Sequence, residues 1–75
     1  MYKITFFNPE TCYKSVVYLK FQWDYNNHCW DVTIKNLFGE STHTYFGSPA
    51  EYLARYKENS VRRGEYATIK TVKCA

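Results

Sequence analysis

Five side chains of this 75-residue sequence are cysteines or histidines, residue types that bind metals or act as a nucleophile and its base. They are Cys12, His28, Cys29, His43 and Cys74. Structural zinc sites use four ligands, usually in closely spaced pairs such as C-x₂₋₄-C and H-x₃₋₅-H. His28 and Cys29 are adjacent, so on a strand their side chains point to opposite faces and do not readily share one ion. The spacing therefore predicts no metal site and no cofactor.

Catalysis by a cysteine needs an electropositive, partly exposed setting and a third group that orients the base. No residue near Cys12 or Cys29 in the sequence provides such a setting. The three glycines are scattered and form no phosphate-binding loop. Asp24 and Asp31 come near each other in the strand pairing derived below, but we expect them as solvated charges. The sequence predicts a protein that is not an enzyme.

The length fits one domain that spans residues 1–75. Fifteen aromatic residues, counted as eight Tyr, five Phe and two Trp, are more than so small a globule can hide. An odd number of cysteines without a C-x-x-C pair indicates a reduced, cytoplasmic protein, with Cys12 and Cys29 as small hydrophobic residues and Cys74 as an exposed thiol. No apolar run reaches the ~18 residues of a membrane span, so no membrane association is expected.

The net charge of +3 is unevenly distributed along the chain. Residues 1–54 carry four Lys or Arg and five Asp or Glu, a net −1, whereas residues 55–75 carry six against two, a net +4. A basic end can attract an acidic protein or a nucleic acid, although runs of charge are often only solvated faces.

The sequence predicts a first strand at Tyr2–Asn8 and a turn at Asn8–Thr11. Alternating apolar and polar residues from Tyr13 to Asp24 then predict a half-buried strand. Asn26 and Asn27 suit a two-residue type I′ turn, because Asn tolerates positive φ. In the resulting hairpin the numbers of paired residues sum to 53. Trp23 then faces Trp30, and Phe21–Val32 and Leu19–Ile34 lie on the same side, whereas Gln22–Asp31, Lys20–Thr33 and Tyr18–Lys35 lie on the other.

A second turn at Leu37–Ser41, with Gly39 at positive φ, leads into a short strand at Thr42–Phe46. Ser48, Pro49 and Glu51 then form a capping box that starts a helix, which we expect to end near Arg63 at Gly64. Its predicted inner residues are Ala50, Leu53, Ala54, Tyr56 and Val61. The residues predicted to point outward or to flank this inner stripe are Tyr52, Arg55, Glu58, Arg62 and Arg63. The segment Tyr66–Cys74 reads as a closing strand.

The predicted fold is therefore α+β, a single small domain in which a four- or five-stranded antiparallel β-sheet carries one α-helix packed on one face. The element order is β-β-β-β-α-β. The helix covers the sheet face with both tryptophans, since nothing else in the chain can bury that face. The other face has no second layer. It carries Lys14, Tyr18, Lys20, Gln22, Thr33 and Lys35.

Two kinds of partner fit these surfaces. Tyr18 between Lys20 and Lys35 follows the pattern of sheets that stack nucleic-acid bases on aromatic rings and neutralise phosphates, with Arg62 and Arg63 as a further phosphate contact. Surplus Tyr, Trp, Phe and Arg are also typical of protein interfaces. The sequence favours a protein partner and keeps direct binding of single-stranded nucleic acid as the alternative.

In size, in its Tyr-, Lys- and Asn-rich composition and in its lack of a catalytic signature, the chain resembles the small proteins with which bacteriophages disable host defence, the anti-CRISPR proteins among them. This resemblance implies an inhibitor that occupies a surface of a host protein or protein–nucleic-acid complex. The residues expected to bind the partner form two patches. These are Tyr18, Lys20 and Lys35 on the sheet, and Tyr52, Arg55, Arg62 and Arg63 on the helix.

Overall fold

The computed structural model describes residues 1–72 and contains one antiparallel sheet with a helix packed on it. Each strand of the sheet pairs with its neighbours in antiparallel orientation, in the spatial order β4-β3-β2-β1-β5. The α+β prediction and the order of elements along the chain are confirmed. The elements are β1 (Tyr2–Asn8), β2 (Tyr13–Asp24), β3 (Cys29–Asn36), β4 (Gly39–Tyr45), α1 (Pro49–Arg62) and β5 (Tyr66–Thr71).

The register between β2 and β3 is the one predicted from alternation. Trp23 pairs with Trp30, and the pairing continues without a break to Tyr18 and Lys35. A shift by one residue would move the covered apolar side chains of β2, such as Leu19 and Phe21, to the uncovered face, and the apolar pattern therefore determines the register.

The predicted type I′ turn at Asn26 and Asn27 is wrong, although the pairing around it is correct. Four residues form the loop, and the residue with positive φ is His28 (φ 50°). The carboxylate of Asp24 accepts hydrogen bonds from the backbone amides of Asn26 and Asn27, at 2.9 and 3.2 Å. This side-chain turn competes with the tighter turn, as Asp and Asn at the start of loops commonly do.

The loop between β1 and β2 repeats this geometry. Asn8 accepts hydrogen bonds from the amides of Glu10 and Thr11, and the fourth loop residue, Cys12, has a φ of 58°. The predicted turn at this place is confirmed. The turn before β4 is shorter than predicted, since only Leu37 and Phe38 lie between the paired Asn36 and Gly39.

Helix α1 begins as predicted. The Ser48 hydroxyl accepts from the Glu51 amide at 3.2 Å, and the Glu51 carboxylate accepts from the Ser48 amide. Pro49 occupies the first turn, where its missing N–H costs nothing. The helix ends at Arg62, and Gly64 has a φ of 73°.

The predicted inner face of α1 is partly wrong. Ala50 and Ala54 are exposed, and Val61 is 72% exposed. Tyr52, predicted to point outward or to flank the inner stripe, packs toward the sheet. The side chains that do face the sheet are Tyr52, Leu53, Tyr56 and Ser60. The large tyrosine rings decide the rotation of the helix, because they bury far more apolar area than alanines do.

The core lies between α1 and the central strands. Ile4, Phe6 and Leu19 are buried, and Val32 of β3 is fully buried as well. Trp23 and Trp30 are half-buried beyond this cluster, where their rings meet edge to face with centroids 5.1 Å apart. The helix therefore covers the predicted face, but its cover is incomplete at the tryptophan end.

Of the cysteines, Cys29 is buried as predicted, whereas Cys12 is exposed because it lies in the loop between β1 and β2. Cys74, and with it the last part of the predicted closing strand, lies outside the described residues. No helix in residues 1–72 has the length and apolar character needed to cross a membrane.

Candidate functional site

The sheet face opposite α1, called the open face below, gathers lysines from four strands. β2 carries Lys14 and Lys20 on this face, and β1, β3 and β5 contribute one lysine each. One row of directly paired residues crosses all five strands. It runs Lys70, Lys3, Tyr18, Lys35, Glu40.

Lys3 and Lys70 are directly opposite each other on β1 and β5. Like charges in this position destabilise a sheet, whereas opposite charges stabilise it. Within residues 1–72 the ion pairs are Arg62–Glu58 and Arg63–Glu65, both at the end of α1, so no lysine of the open face has an acidic partner within 4.0 Å. The open face therefore holds an excess of lysines without ion pairs, with Glu40 opposite Lys35 as the acidic residue of the same row.

Two shallow grooves lie between these lysines on the open face. A groove of about 400 Å³ includes Lys3, Lys14, Tyr18 and Lys35 in its lining. A neighbouring one of about 260 Å³ shares Lys3 and Lys14 and reaches Lys70. An extended anionic ligand that lies along these grooves would meet several lysines in succession.

The first predicted patch is brought together by the fold. Tyr18 pairs directly with Lys35, and Lys20 is the next residue of β2 on the same face. Lys3 and Lys70 were missed by the sequence reasoning. Each lysine alternates with inward-facing residues of its own strand. Because Lys3 and Lys70 are more than sixty residues apart in the sequence, no local pattern shows that they lie opposite each other.

The second predicted patch is divided by the structure. Arg55 and Arg63 lie along one side of α1 with Tyr52, in a groove of about 410 Å³. Arg62 is not part of this lining and instead bonds to Glu58 at 2.9 Å. The complete lining of this helix-side groove is Tyr45, Tyr52, Arg55, Tyr56, Asn59 and Arg63.

The arginines of the helix-side groove are held against aromatic rings. The Arg55 guanidinium lies 5.9 Å from the centre of the Tyr45 ring, and that of Arg63 lies 5.6 Å from the Phe6 ring. Arg63 also donates a hydrogen bond to Glu65 at 3.1 Å. Because these contacts stabilise the arginines within the fold, this groove offers less free charge than the open face.

Tyr52 is the central ring of the helix-side groove. Its hydroxyl lies 3.0 Å from His43 Nε2, and its ring contacts Phe21, Tyr45 and Tyr56 with centroids 5.0–5.6 Å apart. Burial, with a smaller effect of the neighbouring Tyr56, raises the pKa of the Tyr52 hydroxyl well above its ordinary value. Tyr52 is therefore primarily a packing residue, and its role in partner binding stays a prediction.

A third group of polar side chains lies at the end of the β2–β3 hairpin. Ligand atoms of Asp24, Cys29 and Asp31 are within 4.8 Å of one another. Burial, and then the two carboxylates, raise the pKa of the Cys29 thiol, whereas hydrogen bonds from Asn27 lower the pKa of Asp24. The thiol thus stays protonated, the opposite of what a nucleophile needs.

No protein-family model, curated protein or solved structure matches this chain. The candidate site is therefore assigned from its geometry alone.

Proposed function

We propose that this protein is a non-enzymatic inhibitor that occupies an acidic surface of a larger host protein or nucleoprotein complex in the host cytoplasm, as anti-CRISPR-type proteins do. The observation that carries the proposal is the open face, where five lysines lie on the same face as Tyr18. Within residues 1–72 none of them forms an ion pair within 4.0 Å, although Glu40 lies directly opposite Lys35. These lysines are Lys3, Lys14, Lys20, Lys35 and Lys70.

The arrangement of charge supports a partner rather than a merely solvated surface. Lysines alternating with acids would keep the face equally hydrated and would stabilise the sheet. Instead Lys3 lies opposite Lys70 and next to Tyr18. The two like charges therefore repel each other until an anionic surface covers them. Complementary charge also accelerates the encounter between partners.

The remaining polar side chains support a binding role. The thiol of Cys29 is buried and faces two carboxylates. The Nε2 atom of His43 is within hydrogen-bond distance of the Tyr52 hydroxyl. These groups are thus committed to packing and hydrogen bonding within the fold.

Direct binding of single-stranded nucleic acid is the second candidate function. It is favoured by the aromatic residues of the open face, where Phe7 pairs with Tyr66 and Tyr18 lies between lysines. Bases stack on such rings with little regard to sequence, at about 1–3 kcal/mol per base.

A pull-down with the tagged full-length chain from host lysate, with and without nuclease, separates the two functions. We expect one stoichiometric protein partner that survives nuclease treatment. Recovery of nucleic acid alone would support the second function. In that case free oligonucleotides should bind with log affinity falling linearly as log salt rises, by roughly 0.7 per neutralised phosphate.

Matched variants test whether the open face is the contact. Lys35→Gln removes a charge from the centre of the face, and Lys57→Gln removes one from the exposed surface of α1. We expect the first to weaken capture of the partner and the second to leave it unchanged. Equal effects of both variants would show that overall charge, rather than this face, is responsible, and would contradict the proposal.

A further inference from the structure

Strand β4 is an edge of the sheet formed by residues 1–72, so within these residues one row of its backbone N–H and C=O groups has no partner strand. Natural edge strands are usually protected by lysine, proline, a bulge or a covering element. β4 has the sequence GESTHTY, pairs with β3 along its whole length without a bulge, and carries one charge, at Glu40. Helix α1 packs on one face of the sheet, where Tyr52 contacts His43 and Tyr45 of β4, and in residues 1–72 it makes no backbone hydrogen bond to the edge of β4. β4 is therefore open to pairing with another strand.

Two exposed phenylalanines flank this open edge. Phe38 directly precedes β4 and is 95% exposed, and Phe46 directly follows it and is 79% exposed. Both are four residues from Thr42, the central residue of the strand. Neither ring contributes to the core of its own chain, and rings left in water are costly unless something covers them.

We propose that β4 pairs with β4 of a second copy of this chain, in antiparallel orientation about a two-fold axis at Thr42. In this register Phe38 of each copy lies beside Phe46 of the other, and Ser41 lies opposite His43. Glu40 lies opposite Thr44, so the two glutamates are about 14 Å apart, at ~3.4 Å per residue. A closed two-fold pair of this kind uses the same patch on both copies.

The size of the buried surface sets the strength of the pair. Each phenylalanine can bury on the order of 150–250 Å², so four rings supply about 600–1,000 Å². Stable specific interfaces bury at least ~1,000 Å², and the strand edges add the remainder. The dimer is therefore weak and depends on concentration. It joins two sheets into one of ten strands and stands independently of the proposed function.

Sedimentation velocity of the full chain over a concentration series up to about 1 mM tests the dimer. We expect the average mass to rise from 9.0 kDa toward twice that value. Thr42→Lys places two like charges on the axis, and Phe46→Ser removes the flanking contact, so both variants should remain monomeric. Tyr66→Ser, an exposed aromatic on the opposite edge strand, is the matched control and should still dimerise.

Disulfide trapping tests the register. With Cys12 and Cys74 replaced by serine, Thr42→Cys should form an intermolecular disulfide, because facing Cα atoms in an antiparallel pair are about 4.5–5.5 Å apart. Glu40→Cys is the control and should not, since its counterpart is four residues away. A chain that stays monomeric at every concentration, or equal trapping of both cysteine variants, would overturn the proposal.

Discussion

At the scale of single residues, Tyr52 shows how one side chain serves several elements. It projects from α1, contacts Phe21 of β2 and Tyr45 of β4, and approaches His43 with its hydroxyl. Sequence periodicity assigned it to the outer face of the helix, because Tyr is amphipathic and gives no clear inward signal. Tyr52 nonetheless connects the helix to the β4 side of the sheet.

Replacing Tyr52 by Phe keeps the ring and removes the hydroxyl. The lost hydrogen bond to His43 should lower the free energy of unfolding by about 0.5–1.5 kcal/mol at neutral pH. Urea unfolding monitored by tryptophan fluorescence measures this difference.

The same variant tests the raised pKa of Tyr52. Because burial disfavours the phenolate in the fold, the stabilisation by this group is fully present below the ordinary value of 10.0 and is lost as the pH rises above it. Between about pH 8 and about pH 11 the natural protein should therefore lose more stability than Tyr52→Phe. Equal losses would mean that the hydroxyl ionises as freely in the fold as in the unfolded chain.

The facing lysines Lys3 and Lys70 should lower the stability of the fold and strengthen binding to an anionic partner. Lys70→Gln relieves the repulsion and should raise the free energy of unfolding by about 0.2–1 kcal/mol. The same change should weaken binding to the anionic partner. Lys57→Gln on α1 serves as the control for stability and binding. If Lys70→Gln instead lowers the free energy of unfolding, the lysine pair contributes to packing, and its presence does not indicate a partner.

At the scale of elements, the predictable parts are those with a strong local pattern. The β2–β3 register follows from alternation over twelve residues, and the start of α1 follows from Ser48, Pro49 and Glu51. The turn type was missed because the side chain of Asp24 forms a competing turn with the following amides. Alternation fixes which residues face each other, but it contains no information on how the loop between them closes.

The capping box of α1 gives an element-scale prediction. Ser48→Ala removes the acceptor for the Glu51 amide and should cost about 1 kcal/mol of stability. Ser48→Thr keeps a hydroxyl at the same place and should cost clearly less. Thermal unfolding followed by circular dichroism compares the two variants. A fully stable alanine variant would mean that packing alone holds the first turn.

The tryptophan pair gives a second prediction at this scale. Trp30 contacts Trp23 and Phe21, with ring centroids 5.1 and 6.5 Å apart, so Trp30→Ala should cost about 3 kcal/mol. Tyr25→Ala at the nearby loop is the control, because Tyr25 is 81% exposed and its loss should change stability by less than about 0.5 kcal/mol. Unchanged melting of Trp30→Ala together with loss of the partner would instead identify the hairpin end as a binding site.

At the scale of the whole molecule, the positive charges that lie together on the surface are not those that are close together in the sequence. The sequence places its excess positive charge in residues 55–75, yet three arginines of that segment lie on α1 or at its end, and two of them form ion pairs. The lysines of the open face come from positions 3 to 70. Only long-range strand pairing brings them together, so the sequence predicts part of this face and misses Lys3 and Lys70.

The position of β1 between β2 and β5 also has a consequence for how the chain folds. Strands β1 to β4 form successive hairpins and can pair by closing short loops, whereas β5 pairs with β1 over a sequence separation of 59 (Phe7 to Tyr66) to 69 (Tyr2 to Thr71). Long loops close more slowly and at a greater entropic cost. The four-stranded meander should therefore form first and dock β5 last. Amide hydrogen exchange should be faster at Thr68 and Ile69 of β5 than at Val17 and Leu19 of β2.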